Sequence, residues 1–78
     1  AGCANVLPGM LSIYQWEERL EESGEALLIL KTTKGLLGAL EDFVRERHSY
    51  TTPCIAVIPL SSINQDYKEW LLARVRGY

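Results

Sequence analysis

Residues 12–21 constrain the fold most, because their apolar side chains alternate over an unusual length. Tyr14, Trp16 and Leu20 all lie at even positions, which is the two-residue period of a half-buried β-strand forming one apolar face. About ten extended residues reach roughly 33 Å, whereas a strand in a globular protein usually has about 5–6 residues. A single domain of 78 residues is not expected to be that wide. The sequence therefore predicts a strand that reaches beyond its own subunit onto a second copy.

Turn residues divide the first part of the chain into short elements. Residues 3–7 are predicted to form a strand that Pro8-Gly9 ends. Glu22-Ser23-Gly24-Glu25 is predicted to be a turn, and the apolar run at residues 26–30 fits a central strand. The alternating strand and this apolar run are expected to pair as a β-hairpin.

The second part of the chain predicts two helices with a strand between them. The first helix follows Thr33, a suitable N-cap residue, and ends near His48. Residues 54–58 resemble a short buried strand that is stopped by Pro59. Asn64 is a suitable N-cap for the last helix. The order strand, hairpin, helix, strand, helix predicts an α+β domain.

Charge and cysteine usage exclude some classes of protein. The net charge is −2, from 8 basic and 10 acidic residues, and no basic block suits nucleic acid. The longest apolar run is too short to span a bilayer, and no leader pattern predicts a signal peptide. Two cysteines are too few for a disulfide framework. Cys3 and Cys54 are expected to be buried, reduced thiols of a cytoplasmic protein, and a single bridge between them is the alternative.

Ordered motifs along nearly the whole chain carry a family resemblance. The stretch at residues 12–17 reads Ser-Ile-Tyr-Gln-Trp-Glu, residues 48–53 follow His-x-Tyr-x-x-Pro, and residues 64–71 contain Asn-Gln-Asp-Tyr and Trp-Leu. In this combination the chain resembles the CutA family, also called the divalent-cation-tolerance proteins. The resemblance implies a ferredoxin-like antiparallel sheet with helices on one face. It also implies a compact homotrimer in which long hairpin strands join between subunits.

The resemblance also sets the expected extent of the domain and shows three departures from the family pattern. Residues 1–78 correspond to a single CutA-like domain, the C-terminal three quarters of the family fold, with the first β-strand and α-helix missing from this chain. The family commonly has Pro where this chain has Ser49, and Glu where it has Cys54. It commonly has Gly-Lys where this chain has Glu18-Arg19.

A soft-metal site is the first candidate for chemistry. Cys3 and His48 match positions for which the resemblance implies copper binding, and Cys54 would add a second thiolate. Thiolate and imidazole ligands favour copper or zinc over magnesium or calcium. The sequence thus suggests copper or another divalent cation, weakly bound by these three residues. The alternative is that both cysteines are buried and His48 interacts with the helix C-terminus.

A polar pocket and a subunit interface are the other candidates. Glu17, Lys31 and Tyr50, near His48, are expected beside clefts between subunits, where they would bind a small anion or a metabolite. The alternative is a strand-end Lys31 paired with a carboxylate and a Tyr50 that simply packs. The predicted trimer interface is made of large side chains, which dominate subunit contacts. They are Tyr14, Trp16, Leu20 and Trp70.

No catalytic arrangement is recognisable, so the chain is not expected to be an enzyme. His48 is the single histidine, and no serine lies in a nucleophile-elbow motif. The resemblance implies a homotrimeric protein associated with tolerance and binding of divalent metal ions such as copper. The alternative is a trimeric signalling or scaffold module, like the PII-type proteins, that binds a small anion or a protein partner. A purely structural trimer is a third alternative.

Overall fold

The computed structural model describes residues 2–75, which form one β-hairpin followed by two helices. The two antiparallel strands are β1 (Cys3–Trp16) and β2 (Arg19–Lys31). A 3₁₀ turn (Lys34–Leu36) leads into α1 (Leu37–Arg47), and α2 (Gln65–Val75) follows an extended segment. The α+β class and the two helices are as the sequence predicts.

A bulge replaces the strand break that was predicted at Pro8-Gly9. β1 continues through both residues, and Gly9 takes a φ of 75°, which glycine adopts without steric cost. Leu7 lies opposite Leu27, yet Met10 lies opposite Glu25, so β1 contains one extra residue here. Because of the extra residue, every β1 side chain after the bulge points to the face opposite to the one that strict alternation would give. Odd residues before the bulge and even residues after it therefore share one face of the hairpin.

The turn of the hairpin lies at Glu17 and Glu18, not at residues 22–25 as predicted. Both glutamates have positive φ, 49° and 64°, which is the pattern of a type I′ turn. Ser23 and Gly24 lie inside β2, where they pair with Ser12 and Leu11. Cross-strand pairing along the whole hairpin thus overrides the local turn tendency of Ser-Gly. The long alternating segment is consequently folded back on itself at its far end.

This turn corrects the prediction that Tyr14, Trp16 and Leu20 form one apolar face. Directly opposed residues of an antiparallel pair point to the same side of the sheet. Leu20 is opposite Gln15, whereas Tyr14 is opposite Glu21 and Trp16 is opposite Arg19. Leu20 therefore lies on the other face of the hairpin from the two aromatic residues.

The last helix begins directly after Asn64, as predicted, whereas α1 begins at Leu37 with Leu36 in the N-cap position, so Thr33 is not its N-cap. Thr33 precedes the 3₁₀ turn in extended conformation, without a capping hydrogen bond from its side chain. At the end of α1 the His48 amide donates to the carbonyl of Val44. The amide of Lys68 donates to the carbonyl of Asn64, which stands directly before α2.

The predicted strand at residues 54–58 is not formed. The chain from residue 53 to residue 60 has no regular secondary structure, and no strand among residues 2–75 pairs with it. Ile58 is 82% exposed, although its apolar neighbours favour burial. A strand requires a hydrogen-bonding neighbour, and β1 and β2 pair only with each other in the described part of the chain.

The packed core is small and lies where α2 meets the start of β1. Leu71 and Val75 are the buried large hydrophobic side chains among residues 2–75. Both lie directly over Gly2, where a Cβ would come within 2.8 Å of each. The Lys31 side chain reaches Tyr67 of α2. The Tyr50 hydroxyl contacts Glu25, so the segment after α1 lies on one side of the hairpin, the helix-side face.

The opposite side of the hairpin, the bare sheet face, carries exposed apolar residues. Its register positions bear large aliphatic side chains that are 50–75% exposed. They are Val6, Leu11, Ile13, Leu20 and Leu28. The protein is correspondingly elongated, with extents of 47 × 25 × 20 Å and a radius of gyration of 15.4 Å. A compact chain of this length would have a radius of gyration of about 11–12 Å.

Candidate metal and ligand-binding residues

His48 and Tyr50 form a compact pair immediately after α1. The backbone amide of Tyr50 donates to the Nδ1 atom of His48 at 3.0 Å, and the ring centroids are 4.9 Å apart. The Tyr50 hydroxyl donates to Glu25 Oε2 of β2 at 3.3 Å. The negative charge of Glu25, followed by desolvation and this hydrogen bond, raises the pKa of Tyr50 above its ordinary value. The segment after α1 is thus tied to the helix-side face.

Lys31 is held at the base of the hairpin by α2. Its Nζ atom donates to the Tyr67 hydroxyl at 3.3 Å and lies 5.1 Å from the centroid of the Tyr67 ring. Both side chains are half-buried, so this cation–π contact and hydrogen bond are partly shielded from water. The Trp70 ring packs against the Tyr67 ring in a tilted arrangement, with the ring centroids 5.6 Å apart. Lys31 therefore pairs with a phenol, not with the carboxylate that was the alternative interpretation.

The predicted ligand pocket of Glu17, Lys31 and Tyr50 is not assembled within one chain. Glu17 is in the hairpin turn, whereas Lys31 is at the other end of β2, roughly 40 Å away along an extended strand. Tyr50 contacts Glu25, at a middle position of β2. The length of the hairpin is the physical reason for the separation.

The predicted metal ligands are also separate within one chain. Cys3 and Cys54 are free thiols, so they form no bridge, and Cys54 is exposed where burial was expected. The Cys3 thiol lies 3.7 Å from Asn5 Oδ1, and the Nδ1 atom of His48 already accepts the Tyr50 amide. Among residues 2–75 no three histidine, cysteine or acidic side chains gather as a metal-binding group. Within a single chain these residues do not fit a metal ion.

The predicted interface residues are large and accessible. Trp16 is 62% exposed and Leu20 is 75% exposed, near the tip of the hairpin. Tyr14 and Trp70 are 44% and 43% exposed, on β1 and α2. Large hydrophobic side chains at this level of exposure are typical of surfaces that meet a partner. Their involvement in a subunit interface stays a prediction.

Two residues of these contacts were missed by the sequence analysis, Glu25 and Tyr67. Glu25 was assigned to a turn, and its place on β2 follows only from its pairing with Met10, since residues 21–25 show no apolar alternation. For Tyr67 the sequence gives only its place in the Asn-Gln-Asp-Tyr motif, with no role for its hydroxyl group. A buried or half-buried tyrosine usually finds a hydrogen-bond partner for that hydroxyl.

Among residues 2–75 the two α-helices have 11 residues each, and neither is long and apolar enough to cross a lipid bilayer.

Solved structures with the same arrangement of hairpin and helices define the fold class of the chain. The hairpin and helices superimpose on a crystal structure of CutA1 from Oryza sativa with a TM-score of 0.92 and 38% sequence identity. The superposition covers all of this chain and 72% of the other. The fold is therefore the ferredoxin-like α+β class that the resemblance implied.

The family follows from the sequence matches. The model of the family described as CutA1 divalent ion tolerance protein matches residues 1–74. A divalent-cation tolerance protein CutA of Salmonella newport is 43% identical over 76 residues, which cover 97% of this chain and 66% of that relative. The chloroplastic CutA 1 of Oryza sativa subsp. japonica is 41% identical over 71 residues, covering 91% of this chain and 40% of the relative. The chain belongs to the CutA1 divalent ion tolerance family, and it spans less than two thirds of the length of these curated relatives.

Proposed function

We propose that this chain is the subunit of a cytoplasmic homotrimer that contributes to divalent metal ion tolerance and binds copper or a similar cation weakly. The bare sheet face, with its exposed aliphatic side chains, is the observation that carries the proposal. Membership of the divalent ion tolerance family supplies the link to metal ions. The proposed role is non-catalytic, since the motifs of the chain suggest binding and not group transfer.

The exposed surface favours two neighbours for each subunit. The chain exposes 6856 Å² of solvent-accessible surface, whereas a compact monomer of 8.8 kDa exposes about 4,800 Å². The excess of roughly 2,000 Å² exceeds the about 800 Å² that one partner buries in a standard interface. A cyclic trimer gives each subunit two interfaces, which would cover part of this excess.

A site shared between subunits would reconcile the metal ligands with the fold. Cys3 lies at the base of the hairpin, and Cys54 lies on the exposed segment after α1. Association along the hairpins would bring the base of one subunit to another subunit, and only there could the two thiols and His48 approach one another. Soft sulfur and nitrogen ligands would then favour copper or zinc.

Assembly is tested by sedimentation velocity on the chain and on two charge variants. Leu28→Glu places a carboxylate on the bare sheet face and is expected to shift the protein from trimer toward monomer. Phe43→Glu is the matched control, because Phe43 is 54% exposed and lies on α1, not on the hairpin. A monomeric parent chain at micromolar concentration, or equal effects of the two variants, would contradict the proposed trimer.

Metal binding is tested by titrating copper into the chain and into His48→Ala. The variant is expected to lose copper binding while remaining a trimer. Thr51→Ala, in the same segment but without a ligand atom suited to copper, is the control. Unchanged copper affinity in His48→Ala would remove this residue from the site.

A further inference from the structure

The hydrogen bond between the Tyr50 amide and His48 restricts what the imidazole can do. The Tyr50 nitrogen lies 3.0 Å from His48 Nδ1 and donates its only proton to that atom. An imidazole nitrogen that accepts a hydrogen bond uses its single lone pair to do so and therefore carries no proton. In the neutral ring the proton therefore resides on Nε2.

That arrangement excludes both ring nitrogens from metal binding. Nδ1 has its lone pair occupied by the amide, and Nε2 has its lone pair occupied by the proton. A histidine that binds a metal through one nitrogen normally donates a proton from the other. For His48 to bind through Nε2, Nδ1 would have to be protonated, and it would then face the Tyr50 N–H with no acceptor between them.

Other contacts hold the pair in this arrangement. The Tyr50 hydroxyl is anchored to Glu25 on β2, and the two rings lie 4.9 Å apart at an interplanar angle of 54°. At the other side, the His48 amide is fixed to the carbonyl of Val44 in the last turn of α1. The residues on both sides of the imidazole are therefore tied to regular secondary structure.

We infer that His48 is held in a tautomer that cannot bind a metal, and that it becomes a ligand only when the hydrogen bond from the Tyr50 amide to Nδ1 is broken. The second half of this inference rests on the proposed metal-binding function. Metal binding at His48 and the hydrogen-bonded arrangement of residues 48–50 exclude each other. The Tyr50 contact with Glu25, which anchors the pair, is then a determinant of metal affinity.

The first test examines the metal-free chain by nitrogen-15 NMR of the histidine ring and by amide hydrogen exchange. His48 is expected to be the Nε2–H tautomer, and the Tyr50 amide is expected to exchange more slowly than the amides of Thr51 and Thr52. A ring protonated on Nδ1 at neutral pH, or a Tyr50 amide that exchanges as fast as those neighbours, would overturn the inference. This result does not depend on whether the chain binds any metal.

The second test titrates Zn²⁺, which is diamagnetic, into the chain and into two variants. Tyr50→Ala removes the ring and hydroxyl but keeps the amide donor, whereas Tyr50→Pro removes the donor as well. Tyr50→Pro is expected to bind zinc roughly two- to tenfold more tightly than Tyr50→Ala, which corresponds to one hydrogen bond. Equal affinities in the two variants would count against the inference.

The parent chain supplies the remaining comparison. On addition of zinc the Tyr50 amide is expected to lose its slow exchange. The His48 ring is expected to bind either through Nε2, with the proton moved to Nδ1, or through the released Nδ1, with Nε2 still protonated. Zinc ligation by His48 with the Tyr50 amide still protected would overturn the inference. If the parent chain binds no zinc, the proposed metal function fails. In that case the inference holds if Tyr50→Pro binds zinc, and it falls if that variant does not.

Discussion

Gly2 and Leu71 lie so close together that a Cβ on Gly2 would be 2.8 Å from the Leu71 side chain and 3.1 Å from its carbonyl oxygen. This contact joins the start of β1 to α2, in the small buried core that includes Val75. Backbone atoms cannot move as easily as a flexible side chain. The close approach therefore requires glycine at this position.

Replacing Gly2 by Ala is expected to lower the free energy of unfolding by about 1–3 kcal/mol, because it overpacks this contact. Urea denaturation at one fixed protein concentration measures the change. A double-mutant cycle with Leu71→Ala identifies its origin, since the alanine side chain makes room for the added methyl group. Strictly additive effects of the two substitutions on the free energy of unfolding would mean that the Leu71 side chain does not cause the loss of stability in Gly2→Ala.

The hairpin shows both what the sequence could predict and what it could not. The alternating pattern predicted a single strand over residues 12–21, whereas only residues 12–16 of it belong to β1, since the turn follows and β2 begins at Arg19. The turn could not be placed, because Glu17 and Glu18 carry none of the Asn or Gly signals of a type I′ turn, whereas Ser23-Gly24 carries them. Register along the two strands is a property of the whole hairpin, and a local signal does not contain it.

The turn itself offers a direct prediction. A non-glycine residue at positive φ costs about 1–2 kcal/mol, and Glu18 has a φ of 64°. Glu18→Gly is therefore expected to raise the free energy of unfolding by about 1 kcal/mol, measured by urea denaturation. Glu22→Gly, inside β2, is the control and is expected to lower it by about 0.5–1 kcal/mol. Equal destabilisation by both variants would indicate that the turn is not at residues 17–18.

The residues of the candidate site could be predicted from the sequence, but their positions relative to one another could not. His48 and Tyr50 are neighbours in the sequence, and their contact follows from that proximity once α1 ends at Arg47. Their link to Glu25 spans 25 positions of the chain and depends on where the segment after α1 meets β2. Residues 54–58 show the same limit, since a strand pattern forms a strand only where a neighbouring strand is present.

The link between Tyr50 and Glu25 is expected to be visible in the titration of the phenol. The carboxylate raises the pKa of Tyr50, and Glu25→Gln is expected to bring that pKa back toward the ordinary value. Because the folded-state pKa is raised, the stabilisation from this contact is present below the ordinary tyrosine pKa near 10. It is lost as the pH rises through the folded-state value. Carbon-13 NMR of labelled tyrosine resolves this titration.

Gly9 provides the last prediction, because the bulge depends on its backbone conformation alone. Its φ is 75°, and a Cβ added there would meet nothing within 4 Å. Gly9→Ala is therefore expected to lower the free energy of unfolding by about 1–2 kcal/mol through backbone strain. Gly24→Ala is the matched control, since that position is equally open but has no positive φ, and it is expected to be neutral or stabilising by up to about 1 kcal/mol.

The bulge also decides which side chains share a face, so the same substitution tests the assignment of the bare sheet face. If Gly9→Ala removed the bulge, Leu11 and Ile13 would move to the helix-side face, and Tyr14 and Trp16 would replace them. Gly9→Ala is expected to leave the Trp16 fluorescence and the sedimentation coefficient unchanged, because twelve cross-strand pairs hold the register. A stable variant with altered Trp16 emission and altered assembly would show that the bulge is not required for the hairpin.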